Sequence, residues 1–319
     1  MAEDLRFPFK MYSVSGDGII CTGFHEKAME IIEITSGNVT VQIGTEFAEA
    51  HAGDFLYVPP TMVFKIEALE GEAGMRSIVF TSKHHDGFAL FKSEADSYNV
   101  VDATPFKRDV VEELANACAK HGLKFGLYYS QELDWAHPHG GGYTRLDPCA
   151  GTSWDNNWDC PDRSKKDFTI CFEEKIKPQV KEILTNYGDL CLIWFDTPQT
   201  ISAAQTDELY RMVKTYQPAC LVNSRIGNGY GDYTSAGDNE MPEDGQTDLL
   251  FETPATLNDT WGYKAFDTNW KSPEEVVRLR KLCRDRGANY LLNVGPDYLG
   301  RIPSVSCDIL REAGKLWEK

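Results

Sequence analysis

Residues 190–198 have the sequence LCLIWFDTP, an apolar run that ends at Asp196 and a Thr-Pro turn. Continuous apolar runs of this kind are typical of parallel strands that are buried on both faces. In α/β barrels the chemistry lies where such strands end and the following loops begin, so Asp196 is our first candidate for a catalytic group. A lone aspartate at a strand end is about as often the cap of the next helix, so the rest of the chain must decide.

The same pattern, an apolar run followed by polar groups, occurs at four more places: residues 77–87, 125–135, 220–225 and 290–296. Segments with apolar residues at helical spacing lie between the runs. The predicted helices cover residues 106–121, 165–186, 203–216, 273–286 and 304–317. Strands that alternate with helices predict a parallel sheet, and polar groups at the same end of several strands predict a convergent site.

The charge and composition limit the classes of ligand. The 319 residues carry a formal net charge of −17 and are 42% hydrophobic and 12% aromatic, as in globular proteins. So acidic a chain offers no basic stripe to a nucleic-acid backbone, and we expect no nucleic-acid partner. We also expect no membrane-spanning segment, because no apolar run reaches about 18 residues. A neutral ligand such as a sugar is compatible with this charge.

The N-terminus and the cysteines bear on the cellular compartment. Residues 1–6, MAEDLR, are acidic and have no apolar signal-peptide region, so the sequence as written predicts a cytoplasmic protein. The nine cysteines lie scattered without CxxC spacing, and their odd number argues against a complete disulfide framework. We expect most of them to be buried thiols.

Residues 1–76 predict a separate small β-domain. Its β-rich runs lie at residues 29–34, 39–43, 55–58 and 63–66. The runs alternate with turn signals, which favours antiparallel strands. The segments EITSG and GDFLYVPP, at 33–37 and 53–60, resemble the cupin family. The resemblance is specifically to the jelly-roll domain that forms the sugar-sensing half of some transcription regulators. Where metal-binding cupins cluster histidines, this chain has His25 and Phe64, so we expect a cupin-like antiparallel module without metal.

A further set of motifs runs from about Ile78 to the C-terminus. These are TSKHHDGF (81–88), YNVVDATP (98–105), YYS (128–130), WFD (194–196), NSR (223–225), TWGY (260–263) and LLNVGP (291–296). Together they resemble the α-L-fucosidases, glycoside hydrolase family twenty-nine, and the His-His-Asp-Gly segment is highly specific. The resemblance implies a (β/α) TIM-like barrel over residues 77–319 and a retaining enzyme that hydrolyses terminal α-linked L-fucose.

The resemblance also implies roles for single residues. Asp196 matches the nucleophile, which forms a covalent glycosyl-enzyme. The residues assigned to the sugar pocket are His84, His85, Tyr129, Trp135, Trp194 and Arg225. Imidazoles suit the sugar hydroxyls, and aromatic rings suit the C5 methyl group and the apolar face of fucose. No cofactor or metal is implied, and the expected partner is a fucosylated glycan or glycoside, with a homo-oligomer as a further option.

The acid/base residue is harder to place from sequence. Relatives usually carry it in the loop after the strand that ends at Arg225, where this chain has GDNEMP at 237–242. Glu240 is our choice, with Asp238 and Glu252 as alternatives. A general acid needs a raised pKa, which partial burial or a neighbouring carboxylate supplies. Acids in such a loop are otherwise solvated surface.

The sequence also departs from the family pattern. Relatives begin with a strand bearing Ile-His-Trp-Gly, and here the β-module stands in its place, so we expect a barrel of six or seven strands lacking its first. Residues 76–80 suit both the β-module and the barrel, and one strand cannot pack in two cores. A second hypothesis follows, a catalytically weak or inactive protein that binds fucose or glycans. Relatives are commonly exported.

Overall fold

The computed structural model describes residues 75–142, 162–243 and 250–317, positions 156, 159 and 160, and the strands between residues 19 and 68. The chain divides into two compact units. One unit consists of Ser77–Thr256 and Leu279–Asn293. The other consists of Met1–Arg76, Leu257–Arg278 and Val294–Lys319. The domain boundary between residues 76 and 77 stays a prediction.

The strands before residue 69 are antiparallel, as predicted for this segment. They are β1 Ile19–Phe24, β2 Glu30–Glu33, β3 Asn38–Ile43, β4 Glu46–His51, β5 Phe55–Val58 and β6 Val63–Ala68. One sheet has the order β1-β6-β3-β4, and β2 pairs with β5 in a second sheet. The cupin-like assignment depends on His25 and on the side chain of Phe64, which lie outside the described residues.

The strands of the larger unit are parallel, which confirms the predicted α/β class. They are β7 Ser77–Lys83, β8 Lys124–Tyr129, β9 Leu192–Phe195, β10 Leu221–Val222, β11 Thr234–Ser235, β12 Phe251–Thr256 and β13 Ala288–Asn293. The sheet orders are β10-β9-β8-β7 and β11-β12-β13, and a parallel bridge between Asn223 and Tyr233 joins them. Because β7 pairs in parallel with β8, the ambiguous strand at residue 77 belongs to the parallel sheet.

The helices follow the predicted alternation. They are α1 Val110–His121, α2 Phe168–Cys171, α3 Lys177–Asn186, α4 Ala203–Tyr216, α5 Pro273–Asp285 and α6 Ser304–Trp317, with a π-helical turn at Phe172–Ile176. α1 begins where Asp109 accepts the N–H of Glu112 at 3.0 Å, and it ends at Gly122 with φ of 67°. Within the described residues, no helix is both long and apolar enough to cross a membrane.

The hydrophobic core of the larger unit lies between the sheet β7–β10 and its helices. Its fully buried members include Leu127, Ile193, Phe195 and Val222 from the strands and Val111, Val180, Ile183, Leu209 and Val213 from the helices. Burying each such side chain contributes about 1.5–3 kcal/mol. All seven described cysteines are free thiols and four are buried, as expected. This packing holds the strand ends at fixed positions, and the polar groups of the motifs lie there.

Candidate active site

Asp196 is the first residue beyond β9, and two side chains and the N–H of Thr197 orient its carboxylate. Its side chain is 13% exposed. The Tyr128 hydroxyl donates to Oδ2 at 3.0 Å, and Nη1 of Arg225 donates to Oδ1 at 3.1 Å. The chain turns sharply at Thr197, whose φ of 52° is rare for a β-branched residue. The result is a charged, partly accessible oxygen pair held at a strand end.

His85 lies beside this carboxylate in a defined tautomer. Its Nδ1 is 2.9 Å from Oγ of Ser130, and that hydroxyl donates its single proton to the carbonyl of Leu133 at 2.9 Å. Nδ1 must therefore carry the proton and donate to Ser130. In the neutral ring the lone pair is on Nε2, which lies 4.0 Å from Oδ2 of Asp196.

Both histidines of the His-His segment favour the neutral form. Burial, assisted by the neighbouring His84 and by Lys83, lowers the pKa of His85 to about 3. Burial also lowers the pKa of His84, although the charge of Asp196 opposes this shift. The His84 ring stacks on Tyr128 with centroids 5.3 Å apart. Neutral imidazoles both donate and accept, which suits sugar hydroxyls.

Trp194 and Arg225 form a stacked wall beside Asp196. The buried Trp194 ring lies 5.5 Å from the ring of Tyr128, and the Arg225 guanidinium carbon lies 4.7 Å from the Trp194 ring centre. A cation over an aromatic face is attracted by the ring quadrupole. Trp135 lies at the edge of the cluster, with its ring 5.9 Å from that of His85 and 38% of the residue exposed.

Tyr129 does not join the cluster, and Tyr128 takes the place predicted for it. Tyr129 is completely buried in the core, and its hydroxyl donates to Oε1 of Gln179 at 2.8 Å. In the parallel register Tyr128 pairs with Trp194, whereas Tyr129 pairs with the buried Phe195. Paired residues point to the same face of a sheet, so Trp194 and Tyr129 cannot both reach the pocket.

The three candidate acids occupy different environments. Asp238 is 50% exposed, and its Oδ1 accepts from Nη2 of Arg225 at 2.7 Å. The same guanidinium therefore holds Asp196 and Asp238. Burial alone would lower the pKa of Arg225, but the two carboxylates outweigh burial and raise this pKa. Glu240 is exposed, and its carboxylate lies over Gly237, where a Cβ would come within 2.4 Å of the Glu240 Cδ.

Glu252 is buried behind Trp194. Its Oε1 accepts from the indole N–H of Trp194 at 2.7 Å, and its Oε2 accepts from Nδ2 of Asn289 at 3.0 Å. Burial raises the pKa of Glu252, and these two donors oppose the shift. Both oxygens are occupied, so this carboxyl group orients Trp194 and is badly placed to protonate a leaving group.

A buried ion cluster supports the loop that carries the histidines. Asp134 lies 3.2 Å from the ammonium of Lys83 and 2.8 Å from that of Lys175, and all three side chains are almost fully buried. Burial alone would raise the pKa of Asp134, but the two lysines outweigh burial and hold this pKa below its usual value. Lys175 also donates to the carbonyl of Gly87 at 3.1 Å. Sequence reasoning missed this cluster, because its members are far apart in the chain.

Together these groups have the chemistry that suits hydroxyl groups and apolar ring faces. A carboxylate, neutral imidazoles and aromatic faces at the carboxyl ends of parallel strands are typical of glycoside hydrolases. In the part of the chain that the structure describes, no group of three histidine, cysteine or acidic side chains is arranged to hold a metal ion. The absence of a metal and a cofactor stays a prediction.

Comparisons with known proteins agree with this class. The family model for α-L-fucosidase matches residues 65–319, and the chain belongs to the α-L-fucosidase family. It is similar to the α-L-fucosidase AlfC of Lactobacillus casei, solved in complex with α-L-fucose, with 53% identity and a TM-score of 0.72. That match covers 77% of this chain and 76% of AlfC. An α-L-fucosidase of Vibrio sp. is 36% identical with a TM-score of 0.71, over 77% of this chain and 42% of that one.

Curated relatives give the same family. A putative α-L-fucosidase of Caenorhabditis elegans is 31% identical over 258 residues, which is 76% of this chain and 48% of that protein. The α-L-fucosidase of Dictyostelium discoideum is 30% identical, over 76% of this chain and 51% of its own length. The chain thus spans about half the length of the curated relatives it matches.

Proposed function

We propose that this protein is a retaining α-L-fucosidase that hydrolyses terminal α-linked L-fucose with Asp196 as the nucleophile. The observation that carries this proposal is the Asp196 carboxylate at the end of β9, held by Tyr128 and Arg225 beside the neutral His85. AlfC, 53% identical, was solved with its α-L-fucose product, and a variant of it with 4-nitrophenyl α-L-fucopyranoside. Both complexes support fucose as the sugar.

In the proposed first step, Asp196 attacks the anomeric carbon while the bond to the leaving oxygen breaks and that oxygen receives a proton. The second step reverses the roles, as water displaces Asp196 and gives its proton to the same acid/base residue. His85 Nε2 would accept a hydrogen bond from a sugar hydroxyl, and Trp194 would cover an apolar face of the ring.

We assign the acid/base role to the loop at residues 237–240, with Asp238 first and Glu240 second. Arg225 contacts Asp196 and Asp238 through its two terminal nitrogens, so both carboxylates flank one guanidinium, and retaining pairs need two carboxyl groups that lie close together. Asp238 is also half exposed, so a leaving group has access to it. Glu252 meets neither condition.

The nucleophile is tested with Asp196→Ala. The wild-type protein should release 4-nitrophenol from 4-nitrophenyl α-L-fucoside, and the variant should lose at least about 1,000-fold in kcat, because the covalent step disappears. Circular dichroism should show that the variant remains folded. Unchanged turnover would remove Asp196 from the mechanism. If folded wild type gave no turnover but was stabilised thermally by L-fucose, the protein would be a fucose-binding protein instead.

The acid/base is tested by comparing Asp238→Asn with Glu240→Gln. Loss of the general acid should slow a fucosyl disaccharide far more than the activated nitrophenyl substrate, which needs little protonation. Added azide needs no general base, so it should restore turnover of the nitrophenyl substrate in the true acid/base variant and not in the other. Restoration in Glu240→Gln alone would reverse our order.

We also propose that the seven parallel strands belong to a (β/α) barrel. Two observations support this proposal: the pairings between the described strands β7–β13 are parallel, and a bridge from Asn223 to Tyr233 joins the two sheets. In such a barrel the site lies at the carboxyl ends of the strands, where Asp196 and Arg225 lie.

A further inference from the structure

One buried amide side chain joins the strand ends that carry Asp196 and Arg225. Gln131 lies two residues beyond β8 and is completely buried. Its Oε1 accepts a hydrogen bond from the backbone N–H of Asp196 at 2.8 Å. Its Nε2 donates to the backbone carbonyl of Arg225 at 3.1 Å. A side chain at the end of one strand thereby ties together the ends of the next two strands of the sheet.

The two partners determine the orientation of this amide. A backbone N–H can only donate and a carbonyl can only accept, so Oε1 must face Asp196 and Nε2 must face Arg225. Asn223 makes a similar pair of bonds one step along the sheet, where its amide accepts from the N–H of Phe195 at 2.9 Å and donates to the Phe195 carbonyl at 2.9 Å. Side-chain amides thus continue the sheet beyond its last ladder bonds.

We infer that Gln131 is a positioning residue that sets the placement of Asp196 relative to Arg225. This inference rests on the proposed function, in which Asp196 is the nucleophile. Gln131 contacts only the backbone of the two residues and acts through them. Because a displacement of about 1 Å at a reacting group can cost on the order of 100-fold in rate, loss of this tether should lower kcat more than it changes KM.

The test is the pH dependence of the variant Gln131→Glu. One carboxyl oxygen can still accept the hydrogen bond from the Asp196 N–H. The other oxygen replaces the amide nitrogen that donates to the Arg225 carbonyl, and it can donate only when it is protonated. As a carboxylate the introduced group repels the Arg225 carbonyl, and as a carboxylic acid its O–H can donate to that carbonyl. Burial raises the pKa of such a group, so the kcat of the variant relative to wild type should rise about tenfold between about pH 7.5 and 5.5.

Gln179→Glu is the matched control. Gln179 is equally buried and also makes two side-chain hydrogen bonds, with the Tyr129 hydroxyl at 2.8 Å and Oγ of Ser93 at 3.2 Å, both away from the Asp196 cluster. Its kcat relative to wild type should not change over the same pH range. Gln131→Met, which can make neither bond, should have a reduced kcat at every pH. Thermal unfolding of each variant gives the folded fraction by which kcat is corrected.

The outcomes separate this inference from the proposed function. If the wild type turns over the nitrophenyl substrate but the Gln131→Glu ratio stays flat, or Gln179→Glu rises equally, the inference is wrong and the function stands. If Gln131→Glu does not fold, an unreduced kcat in Gln131→Met overturns the inference. Should the wild type show no turnover, the proposed function fails, and the inference fails with it, because the inference rests on Asp196 as the nucleophile.

Discussion

At His85, burial favours the neutral imidazole, and the bond to Ser130 selects its tautomer. The bond to Ser130 fixes the proton on Nδ1, and burial with His84 and Lys83 lowers the pKa to about 3. A charged imidazole 4.0 Å from Asp196 would pair with that carboxylate and reduce its reactivity. A neutral imidazole adds no positive charge beside this carboxylate.

The same shift makes stability depend on pH with a definite sign. Between pH 6.5, the ordinary value, and about 3, the unfolded state binds a proton at His85 that the folded state excludes. The free energy of unfolding must therefore fall as the pH falls through this window. In His85→Gln that contribution is absent, so the difference in Tm between wild type and variant should be smaller at about pH 5 than at about pH 7.

Val180→Ala is the control for this measurement. Val180 is completely buried in α3 and has no titratable group, so the Tm deficit of this variant should be the same at both pH values. A His85→Gln difference that is equally constant would contradict a neutral His85 in the folded protein.

A residue of the site could be predicted from sequence where a family motif identifies that single position. His84, His85, Trp194, Arg225 and Asp196 lie together in the structure, and their roles toward a sugar stay predictions. The choice of Tyr129 over Tyr128 was wrong, because it depended on the register between β8 and β9, and one residue reverses the face of a strand. Gln131 was missed for a related reason, since its partners lie 65 and 94 residues away in sequence.

At the scale of elements, the turn after β7 depends on a glycine. Gly87 has a φ of 81°, and a Cβ there would lie 2.2 Å from Oδ1 of Asp134, the carboxylate that bridges Lys83 and Lys175. Gly87→Ala should displace this buried carboxylate and destabilise the fold by about 3 kcal/mol or more, because a buried ion cluster is broken. Urea denaturation measures the change.

Gly229→Ala separates backbone strain from the clash. Gly229 has a similar φ of 78°, but a Cβ there would have no neighbour within 4 Å, so its substitution should cost only about 1 kcal/mol. Equal losses in the two variants would show that Asp134 can move without cost and that the cluster does not hold the turn.

Element bounds were predictable where local side chains mark them. α4 covers the predicted residues 203–216, because Ser202 and Gln205 form a capping box that is visible in the sequence. The strand predicted at 220–224 is only two residues long, Leu221–Val222. Its ladder ends early because the side-chain amide of Asn223 bonds the N–H and carbonyl of Phe195, both at 2.9 Å, a contact between strands that no local pattern indicates.

At the scale of the whole molecule, the alternation of strands and helices was predictable, because the spacing of apolar residues differs between helical and strand segments. The order of the strands in the sheets was not, because it depends on long-range pairing. The net charge of −17 is read directly from the sequence, and it affects every charged ligand that approaches.

From this net charge we predict how kcat/KM depends on salt for neutral and for charged substrates. A neutral fucoside gains nothing from the field of the protein, so its kcat/KM should change less than about twofold when NaCl rises from about 20 to about 500 mM. A fucoside with a carboxylate on its aglycone approaches against the charge of −17, so its kcat/KM should rise several-fold as salt screens the repulsion. Steady-state kinetics with 4-nitrophenyl and 4-carboxyphenyl α-L-fucoside gives the comparison, and the neutral substrate controls for effects of salt on the enzyme itself. Equal salt dependence of the two would mean that local cations such as Arg225, rather than the net charge, determine the potential at the site.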